Sequence, residues 1–457
     1  MRKRLRYFSL TLLPAASLFA AGTVLSAAEI SVSPDDDLQR RIDAAAPGDV
    51  VHLSAGVHRG PVRIANAISL QGAAGAEIHG PGTGSVVTVE APGAAVRGIR
   101  VTGSGTNIEG PDAGIFLART ATGARVENNE VIGNLYGVYV RGAEDSLVRG
   151  NRIEGFREGR SAEAGNGVTV WNAPGARVLD NDISFGRDGI FASASKRNVF
   201  NSNRFSNLRF AVHYMYTNDS EISGNVSTGN SVGYAMMYSH RLVMRNNVSD
   251  GDRDHGLLFN YANGSRIEGN KVIARLQPAS RWLGAGTRSG NTHGVSTERE
   301  TPVGDGARNG PEKCVFIYNA NTNTFRNNWF EGCEIGIHFT AGSERNRISG
   351  NAFVRNRSQV KYVGTRHLDW SSEGRGNYWS DNAAFDLDQD GIADSPYRPN
   401  GLVDRVLWMS PQAKILMNSP AVQVIRWAQA RFPAILPGGV VDNHPLMTPP
   451  ERPADPS

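Results

Sequence analysis

The chain has 457 residues, 52 of them glycine, and a formal net charge of +4 at pH 7. This length accommodates one large domain or two of ordinary size, and the glycines follow no Gly-X-Y period, which excludes a collagen-like fibre. The excess positive charge lies in the leader, at Arg2, Lys3, Arg4 and Arg6, so the rest of the chain is close to neutral. We therefore find no basic surface of the kind that nucleic-acid-binding proteins carry.

Residues 1–28 have the composition of an export signal. A charged head precedes an apolar stretch, and Ser26 and Ala28 supply the small residues of a cleavage site before Glu29. The alternative is an uncleaved membrane anchor, against which Pro14 inside the apolar stretch argues. No later segment contains 18 consecutive apolar residues. The sequence thus predicts an exported protein without a membrane span of its own after cleavage.

Residues 37–45 (DLQRRIDAA) predict a short N-terminal helix, because Leu38, Ile42 and Ala45 recur at helical spacing. A turn and a strand are expected to follow in residues 47–58. A helix in this position usually closes the first open end of a stacked repeat.

From residue 60 onward the sequence repeats with a period of about 22 residues. The marker is an asparagine that is often followed, two residues later, by an aliphatic or aromatic residue. Two wider spacings between markers imply a short insertion near residues 157–165 and a longer, polar one at residues 276–311. The markers are Asn129, Asn151, Asn181, Asn203, Asn225, Asn247, Asn270, Asn328 and Asn351.

A 22-residue period is typical of one rung of a right-handed parallel β-helix, in which three short strands and their turns complete one turn of the solenoid. The sequence predicts such an all-β domain over residues 29–382 and a C-terminal segment over residues 383–457. Each marker asparagine is expected to take the left-handed backbone of a turn and to hydrogen-bond to the marker of the next rung. A leucine-rich repeat or a helical solenoid fits poorly, because leucines are irregular and helix-period stretches are few.

Cys314 and Cys333 are the two cysteines of the chain. In an exported protein they are able to form a disulfide, and two buried free thiols are the alternative. The sequence leaves both open.

The C-terminal segment begins with an acidic stretch, residues 386–397 (DLDQDGIADSPY). Its spacing resembles the start of a calcium-binding loop, with Gly391 for the sharp turn, although the twelfth position is Tyr397 rather than glutamate. A solvated acidic turn is the alternative. The carboxylates that would bind calcium are those of Asp386, Asp388, Asp390 and Asp394.

A terminal helix is predicted further along. Ser419 supplies an N-cap and Pro420 suits the first helical position. The helix is expected to reach about Phe432. Its apolar side would pack on the open end of the stack or dock on another protein.

Residues 203–261 concentrate soft metal ligands on three consecutive rungs, with four of the eight methionines and three of the ten histidines. Met215 and Met237 stand ten residues before their markers, and His213 stands twelve residues before its own. In a β-helix these positions lie on one face of one sheet, on rungs about 4.8 Å apart. His213, Met215 and Met237 are therefore predicted to lie within reach of one ion.

We expect this face to be the outer one, because the alternate positions carry small or β-branched residues such as Val168, Ile190 and Val212. The candidate ligands would then face solvent, which is an unusual use of methionine. Thioethers together with an imidazole select copper, Cu(I) above all, over hard cations.

Met236 and His240 belong to the other alternation. We include them as candidates that would either support the site or belong to the core. Methionine also fills gaps in cores. If the face assignment is reversed, Met215 and Met237 are packing residues and no copper site exists here.

Several segments resemble the NosD family of periplasmic maturation proteins of nitrous oxide reductase. They are RFAVHYMYTNDSEISGN, GYAMMYSHRLVMRNN and, near the C terminus, NYWSDNAAFDLDQDGIADSPYRPNGLVDRVLW. The resemblance covers essentially the whole chain after the leader. The repeat alone would be shared with many carbohydrate-active β-helix proteins, whereas the methionine-bearing rungs and the C-terminal block are more specific.

The resemblance implies a subunit of an ABC-type complex that also contains a membrane permease and a cytoplasmic ATPase. It further implies that copper is taken from a small membrane-anchored chaperone and delivered to the copper centres of nitrous oxide reductase. The chain has no phosphate-binding Gly-Lys-Ser/Thr loop, which fits a periplasmic subunit with separate partners. Residues 276–311 and 420–432 are candidate contacts with those partners.

Two other functions compete with this one. A polysaccharide lyase or epimerase would need an acid and a base within a few ångströms of each other, and Asp252, Asp254 and His255 are the best such group in the sequence. No repeated acidic or basic rows accompany them, so we predict a protein that is not an enzyme. The other alternative is a structural adaptor whose partner alone binds the metal.

Overall fold

The structure is a computed structural model of the chain. It describes residues 27–157, 164–278, 307–340, 342–364, 366–399, 401, 419–431 and 438–454. The predicted export signal, apart from its last two residues, and residues 279–306 of the long insertion lie outside the described residues.

The prediction of a right-handed parallel β-helix is confirmed. Each rung contributes one strand to each of three long parallel sheets, so strands that are neighbours in a sheet come from successive rungs. Sheet I contains β1 (Glu29–Val32), β2 (Val50–Leu53), β5 (Ser69–Gly72), β8 (Ala95–Arg97), β11 (Arg125–Glu127), β14 (Leu147–Arg149), β17 (Arg177–Leu179), β20 (Val199–Asn201), β23 (Glu221–Ser223), β26 (Val243–Arg245), β29 (Arg266–Glu268), β34 (Thr324–Arg326) and β37 (Arg347–Ile348).

Sheet II contains β3 (Gly56–Arg59), β6 (Ala76–His79), β9 (Arg100–Thr102), β12 (Glu130–Ile132), β15 (Arg152–Glu154), β18 (Asp182–Ser184), β21 (Arg204–Ser206), β24 (Val226–Thr228), β27 (Val248–Asp250), β30 (Lys271–Ile273), β35 (Trp329–Glu331), β38 (Ala352–Val354) and β41 (Tyr378–Trp379). Sheet III contains β4 (Val62–Ile64), β7 (Val87–Val89), β10 (Ala113–Leu117), β13 (Tyr136–Arg141), β16 (Val168–Trp171), β19 (Asp188–Ser193), β22 (Phe210–Met215), β25 (Val232–Met237), β28 (His255–Asn260), β33 (Lys313–Tyr318), β36 (Ile335–Thr340) and β39 (Ser358–Val363).

The remaining elements lie at the ends of the stack and beside it. The antiparallel pair β31 (Arg275–Gln277) and β32 (Arg308–Gly310) flanks the long insertion, and β40 (Leu368–Asp369) pairs in parallel with β42 (Val440–Val441). The helices are α1 (Leu38–Ala44) and α2 (Pro420–Arg431). Within the described ranges, neither helix is long and apolar enough to cross a membrane.

Both helices begin as the sequence predicts. The side chain of Asp37, the N-cap of α1, accepts the N–H of Arg40 at 3.1 Å. Ser419 Oγ accepts the N–H of Val422 at the start of α2. Val424 and Ile425 of α2 are exposed, so this side of the helix does not pack on the stack.

Alternate side chains of each strand point into the solenoid. Val168, Ile190 and Val212 are in register on sheet III and fully buried, so the predicted core row is confirmed. The strands of sheet III are the longest, commonly six residues, whereas strands of three residues predominate in the other two sheets. Sheet III therefore has the widest outer face.

The marker asparagines form a buried ladder along the solenoid, in which Nδ2 of each donates to Oδ1 of the next at 2.8–3.0 Å, from Asn129 to Asn377. The predicted bond between rungs is thus confirmed, whereas the predicted backbone is wrong. The left-handed conformation belongs to the residue before each marker, as at Asp180 and Ser202, both with φ of 56°. The backbone N–H and the side chain of a marker both bond to the next marker, as at Asn203, so the turn is made one residue earlier.

Residues 438–454 return to the C-terminal end of the stack. The buried carboxylate of Asp442 accepts the N–H of Asn377 at 2.6 Å and Nε1–H of Trp379 at 2.8 Å. Asp442 thus takes the place of a further asparagine and ends the ladder. Burial raises the pKa of Asp442, although these hydrogen bonds act in the opposite direction.

Cys314 and Cys333 form a disulfide. Cys314 belongs to β33 and Cys333 precedes β36, and both are buried in the core. The bond therefore joins two consecutive rungs.

Candidate metal site

Strand pairing places the candidate ligands where their spacing predicts. β22 and β25 are neighbours in sheet III, and Met215 pairs with Met237. His213 lies two residues before Met215 on the same side of β22, in one row with Phe191 and Ala235. The three side chains thus share one patch on two rungs.

The prediction that this patch faces solvent is wrong. His213 is 7% exposed, Met237 is 5% exposed and Met215 is half-buried. The patch points away from the main core, as expected, but side chains of neighbouring rungs cover it. This second apolar cluster consists of Phe210, Val232, Ala235, Met237, Leu258 and Phe316. The physical reason is the length of the strands, which leaves room for aromatic and aliphatic residues on the outer face.

A buried carboxylate orients the ring of His213. Its Nδ1 lies 3.0 Å from Oδ2 of Asp188, and Arg209 donates two hydrogen bonds to the same carboxylate at 2.8 and 2.7 Å. Burial by itself would raise the pKa of Asp188, but Arg209 and His213 lower it below the ordinary range. The ionised Asp188 favours the tautomer in which Nδ1–H of His213 donates a hydrogen bond to it, and in that tautomer Nε2 carries the lone pair.

Nε2 of His213 is buried and has no hydrogen-bond partner among the described residues. Such an atom is uncommon, because leaving a buried polar group unpaired costs about 1–3 kcal/mol. Here the unpaired nitrogen lies in one patch with two thioethers, and a carboxylate stands behind the ring. Metal-ligating histidines commonly have this support, and the donor set fits a soft cation such as Cu(I).

A cleft of about 620 Å³ opens onto the patch. Its soft end contains His213, Met215 and Met237. Its polar end lies towards the preceding rungs of sheet III. The residues that line this polar end are Tyr136, Tyr139, Asn166, Thr169, Arg187 and Asp188.

A ladder of tyrosines stands beside the soft end. Tyr216, Tyr238 and Tyr261 follow the ends of β22, β25 and β28, and their rings stack with centroids 5.2 and 5.1 Å apart. All three have positive φ, between 48° and 51°, which costs a bulky residue about 1–3 kcal/mol. Elsewhere on the sheet the same turn is made by Asn172 and Asn319, which tolerate this backbone better. The tyrosines with a strained backbone are thus concentrated in the two rungs that carry Met215 and Met237 and in the rung that follows them.

Met236 and His240 do not join the group. Met236 is fully buried in the main core, between Tyr214 and Phe259 in register. His240 lies in the turn after β25, where its Nδ1 accepts the N–H of Asn263 at 3.3 Å. Burial and the neighbouring Arg241 lower the pKa of His240. The alternation of the strand turns Met236 away from the patch, and His240 lies beyond the end of β25.

The acid–base group that the sequence suggested is not assembled either. Asp252 is buried and accepts hydrogen bonds from the hydroxyls of Ser227 and Ser249. Asp254 pairs with Arg253, and His255 packs against Phe316 at 5.4 Å.

Sequence reasoning missed Asp188 and Arg209. Asp188 opens β19 and pairs with Phe210, the first residue of β22. Extending the register argument to the first strand position would have placed this carboxylate one rung from His213.

The acidic loop is partly assembled. Ligand oxygens of Asp386, Asp388 and Asp390 lie within 4.8 Å of one another. Asp394 is outside this group, and its carboxylate accepts the N–H of Leu387. Repulsion by Asp390 raises the pKa of Asp388. Calcium binding here stays a prediction.

Comparison with known proteins identifies the family to which the chain belongs. The model of the family described as "Periplasmic copper-binding protein (NosD)" matches residues 154–384, which include β22 and β25. The chain is 41% identical to the "Probable ABC transporter binding protein NosD" of Stutzerimonas stutzeri over 395 residues, 86% of each chain. The chain belongs to the NosD family. A second NosD relative, from Pseudomonas aeruginosa and with the same printed description, is 39% identical and covers 93% of each chain.

The NosD relatives are named as binding proteins and not as enzymes. Among solved structures, the DFA-IIIase from Arthrobacter chlorophenolicus A6 without its lid is similar in fold, at 14% identity and a TM-score of 0.49. That likeness covers 75% of this chain and 100% of the other. It carries no information about function.

Proposed function

We propose that the chain accepts Cu(I) transiently through His213, Met215 and Met237. In this proposal it is the periplasmic subunit of an ABC-type complex with a membrane permease and a cytoplasmic ATPase. It receives copper from a small membrane-anchored chaperone and supports assembly of the copper centres of nitrous oxide reductase. The copper-binding description of the family and the ABC transporter naming of the relatives support this role.

The observation that carries the proposal is the unpaired Nε2 of His213, held by Asp188 beside two thioethers on adjacent rungs. A neutral imidazole and two sulfurs bind a monovalent soft cation without introducing an opposing charge. The shielded setting disfavours water and hard cations as competitors. The site offers only three metal-donor atoms in a partly enclosed patch, and such a small donor set suits copper that must be released again.

The first experiment is an anaerobic Cu(I) titration of the mature protein against a chromophoric chelator. The test variant is Met215→Leu with Met237→Leu, because leucine keeps the apolar volume and removes the sulfur. We expect the wild type to compete with the chelator and the double variant to lose this ability while circular dichroism stays unchanged.

The matched control is Met447→Leu, a half-buried methionine in the C-terminal segment, far along the chain from sheet III's candidate patch. It should bind Cu(I) as the wild type does. Undiminished binding by the double variant would remove these two sulfurs from the site. Absence of binding by the wild type would favour the structural adaptor.

A polysaccharide lyase or epimerase is the second candidate, since the cleft places an imidazole on a carboxylate, and Arg209 beside them. This is a possible acid–base pair. The naming of the relatives as binding proteins favours the first function. An assay for unsaturated products and for epimerisation on mannuronan and pectin separates the two, and turnover that is lost in His213→Gln would reverse our ranking.

A further inference from the structure

Arg187 lies at the polar end of the cleft and is half-buried. Within the described part of the chain its guanidinium makes no hydrogen bond or ion pair. We propose that Arg187 receives a carboxylate of the protein segment that presents copper to His213, Met215 and Met237. The cleft would thus recognise an acidic, copper-carrying peptide. This inference deepens the proposed function and rests on it.

The neighbouring carboxylate of Asp188 attracts Arg187 and by itself raises the pKa of the guanidinium, but within the described residues the two groups form no ion pair. Asp188 is occupied by two hydrogen bonds from Arg209 and one contact with His213. Burial and the neighbouring Arg209 lower the pKa of Arg187, so its charged form is at a disadvantage in the empty cleft. An anion that enters the cleft relieves this cost, because a partly desolvated charge is stabilised by a paired, hydrogen-bonded partner.

The walls around Arg187 suit a carboxylate. Tyr136 and Tyr139 line the cleft with their rings edge to face, 5.3 Å apart, and Phe116 stacks on Tyr139. Burial raises the pKa of both tyrosines. Their phenols therefore stay protonated and can donate, and two neutral O–H donors beside a guanidinium are a donor set that matches a carboxylate.

The two ends of the cleft suit different partners: the thioethers suit a soft cation, and Arg187 suits an anion. Arg187 is positively charged like Cu(I) and lies more than a Debye length from the two methionines, so the guanidinium neither binds the bare ion nor changes its affinity. Arg187 immediately precedes β19, while Met215 and Met237 end β22 and β25 on the next two rungs, six residues further along the strand direction, so their Cα atoms lie roughly 20 Å from that of Arg187. About six residues of an extended peptide span this distance. A donor segment with an acidic side chain about six residues from its copper ligand thus fits both ends at once.

The test uses two synthetic Cu(I) donors, a methionine-containing peptide with an aspartate six residues from the methionine and the same peptide with asparagine, both with blocked termini. Transfer of Cu(I) to the mature protein is followed by stopped-flow at low salt. We expect the wild type to accept copper from the acidic peptide roughly tenfold faster, as electrostatic complementarity mainly raises association rates. Arg187→Gln should lose this preference and keep the wild-type Cu(I) affinity in the chelator titration.

The matched control is Arg141→Gln, since Arg141 is exposed on the same sheet and its guanidinium lies over the ring of Trp171, outside the cleft lining. This variant should keep the preference. An unchanged preference in Arg187→Gln would overturn the inference, as would Arg187-dependent binding of a mannuronate oligomer in place of the acidic peptide. If the wild type binds no Cu(I), the proposed function fails. Arg187-dependent binding of the copper-free acidic peptide, measured by fluorescence anisotropy, then decides the carboxylate contact separately.

Discussion

Asp188 and His213 are joined by one 3.0 Å contact, and Arg209 keeps Asp188 ionised. At the scale of single residues, this contact decides which nitrogen of His213 is available for a metal. In the proposed site Asp188 does not bind the metal itself and acts through His213, so it is a positioning residue. Its effect should therefore be visible both in copper affinity and in the state of the imidazole.

Asp188→Asn keeps the shape of the side chain and removes its charge. We expect Cu(I) affinity to fall by about 10–100-fold, the usual effect of losing a carboxylate behind a metal-bound histidine. The chelator titration measures the affinity. Nitrogen NMR of labelled histidine reports the tautomer, which should be protonated at Nδ1 in the wild type and mixed in the variant. A single unchanged tautomer together with unchanged affinity would contradict the positioning role.

His338 lies in the same outer row as His213, and its burial affects the stability of the fold rather than the proposed copper site. Its Nδ1 is buried without a partner in the described chain. Burial, followed by Lys313 and Lys361, lowers the pKa of His338 to about 3. An unfolded histidine titrates near pH 6.5. Between these values the unfolded state binds more protons, so stability is present above pH 6.5 and is lost as the pH falls towards 3.

The variant His338→Phe has no imidazole at this position, so its stability should lack the part of the pH dependence that comes from His338. Phenylalanine already occupies the same row at Phe191 and Phe316. Between pH 7.5 and pH 5 the free energy of unfolding of the variant should fall by about 1–2 kcal/mol less than that of the wild type. Denaturant unfolding at both pH values measures the difference. Parallel losses in the two proteins would show that His338 is accessible to protons in the folded state.

At the scale of elements, the asparagine ladder holds the rungs in register. Each internal marker takes part in bonds to both neighbouring rungs and also donates to a backbone carbonyl, as Asn225 does to Phe200. These groups are all buried, so the loss of one asparagine leaves donors and acceptors on both neighbouring rungs without hydrogen-bond partners. The ladder positions Met215 and Met237 indirectly, because it fixes the offset between β22 and β25.

Asn225→Ala interrupts the ladder in the rung that carries Met215. We expect a loss of about 3 kcal/mol in the free energy of unfolding, since several buried polar groups lose their partners. Asn201→Ala is the control, because this half-buried asparagine lies outside the ladder, where it donates to Ser223 Oγ at 2.8 Å and accepts from Ser202 Oγ at 2.7 Å. Urea unfolding should show a loss of less than about 1 kcal/mol for the control. Equal losses would mean that the ladder has no special role.

At the scale of the whole molecule, a solenoid is stabilised rung by rung, because each rung contacts its neighbours and little else. The disulfide between Cys314 and Cys333 therefore strengthens one region, around β33 and β36, without touching β22 and β25. As both sulfurs are bonded to each other, neither is a thiolate ligand for copper.

Replacing both cysteines by alanine should lower the free energy of unfolding by about 3 kcal/mol, the value expected for a loop of this length. Cu(I) affinity should stay unchanged, which separates the structural role from a metal-binding one. Urea unfolding and the chelator titration measure the two quantities. A clear loss of copper binding in the folded variant would count against the placement of the site on β22 and β25.

The sequence by itself determined the solenoid, its period and the register of the ligands. A rung of fixed length repeats the same geometry, so spacing from Asn225 and Asn247 was enough to pair Met215 with Met237. The core row followed from the same alternation. Local repetition is what made these features readable without tertiary information.

Tertiary structure alone decided what surrounds the patch. Burial of His213 depends on Phe210 and on side chains from several rungs, and the support from Asp188 depends on where one rung begins relative to the next. Within the part of the chain that the structure describes, Nε2 of His213 and the guanidinium of Arg187 lack hydrogen-bond partners, and this too is a property of packing. Such features arise from contacts between residues distant in sequence, and no single period encodes them.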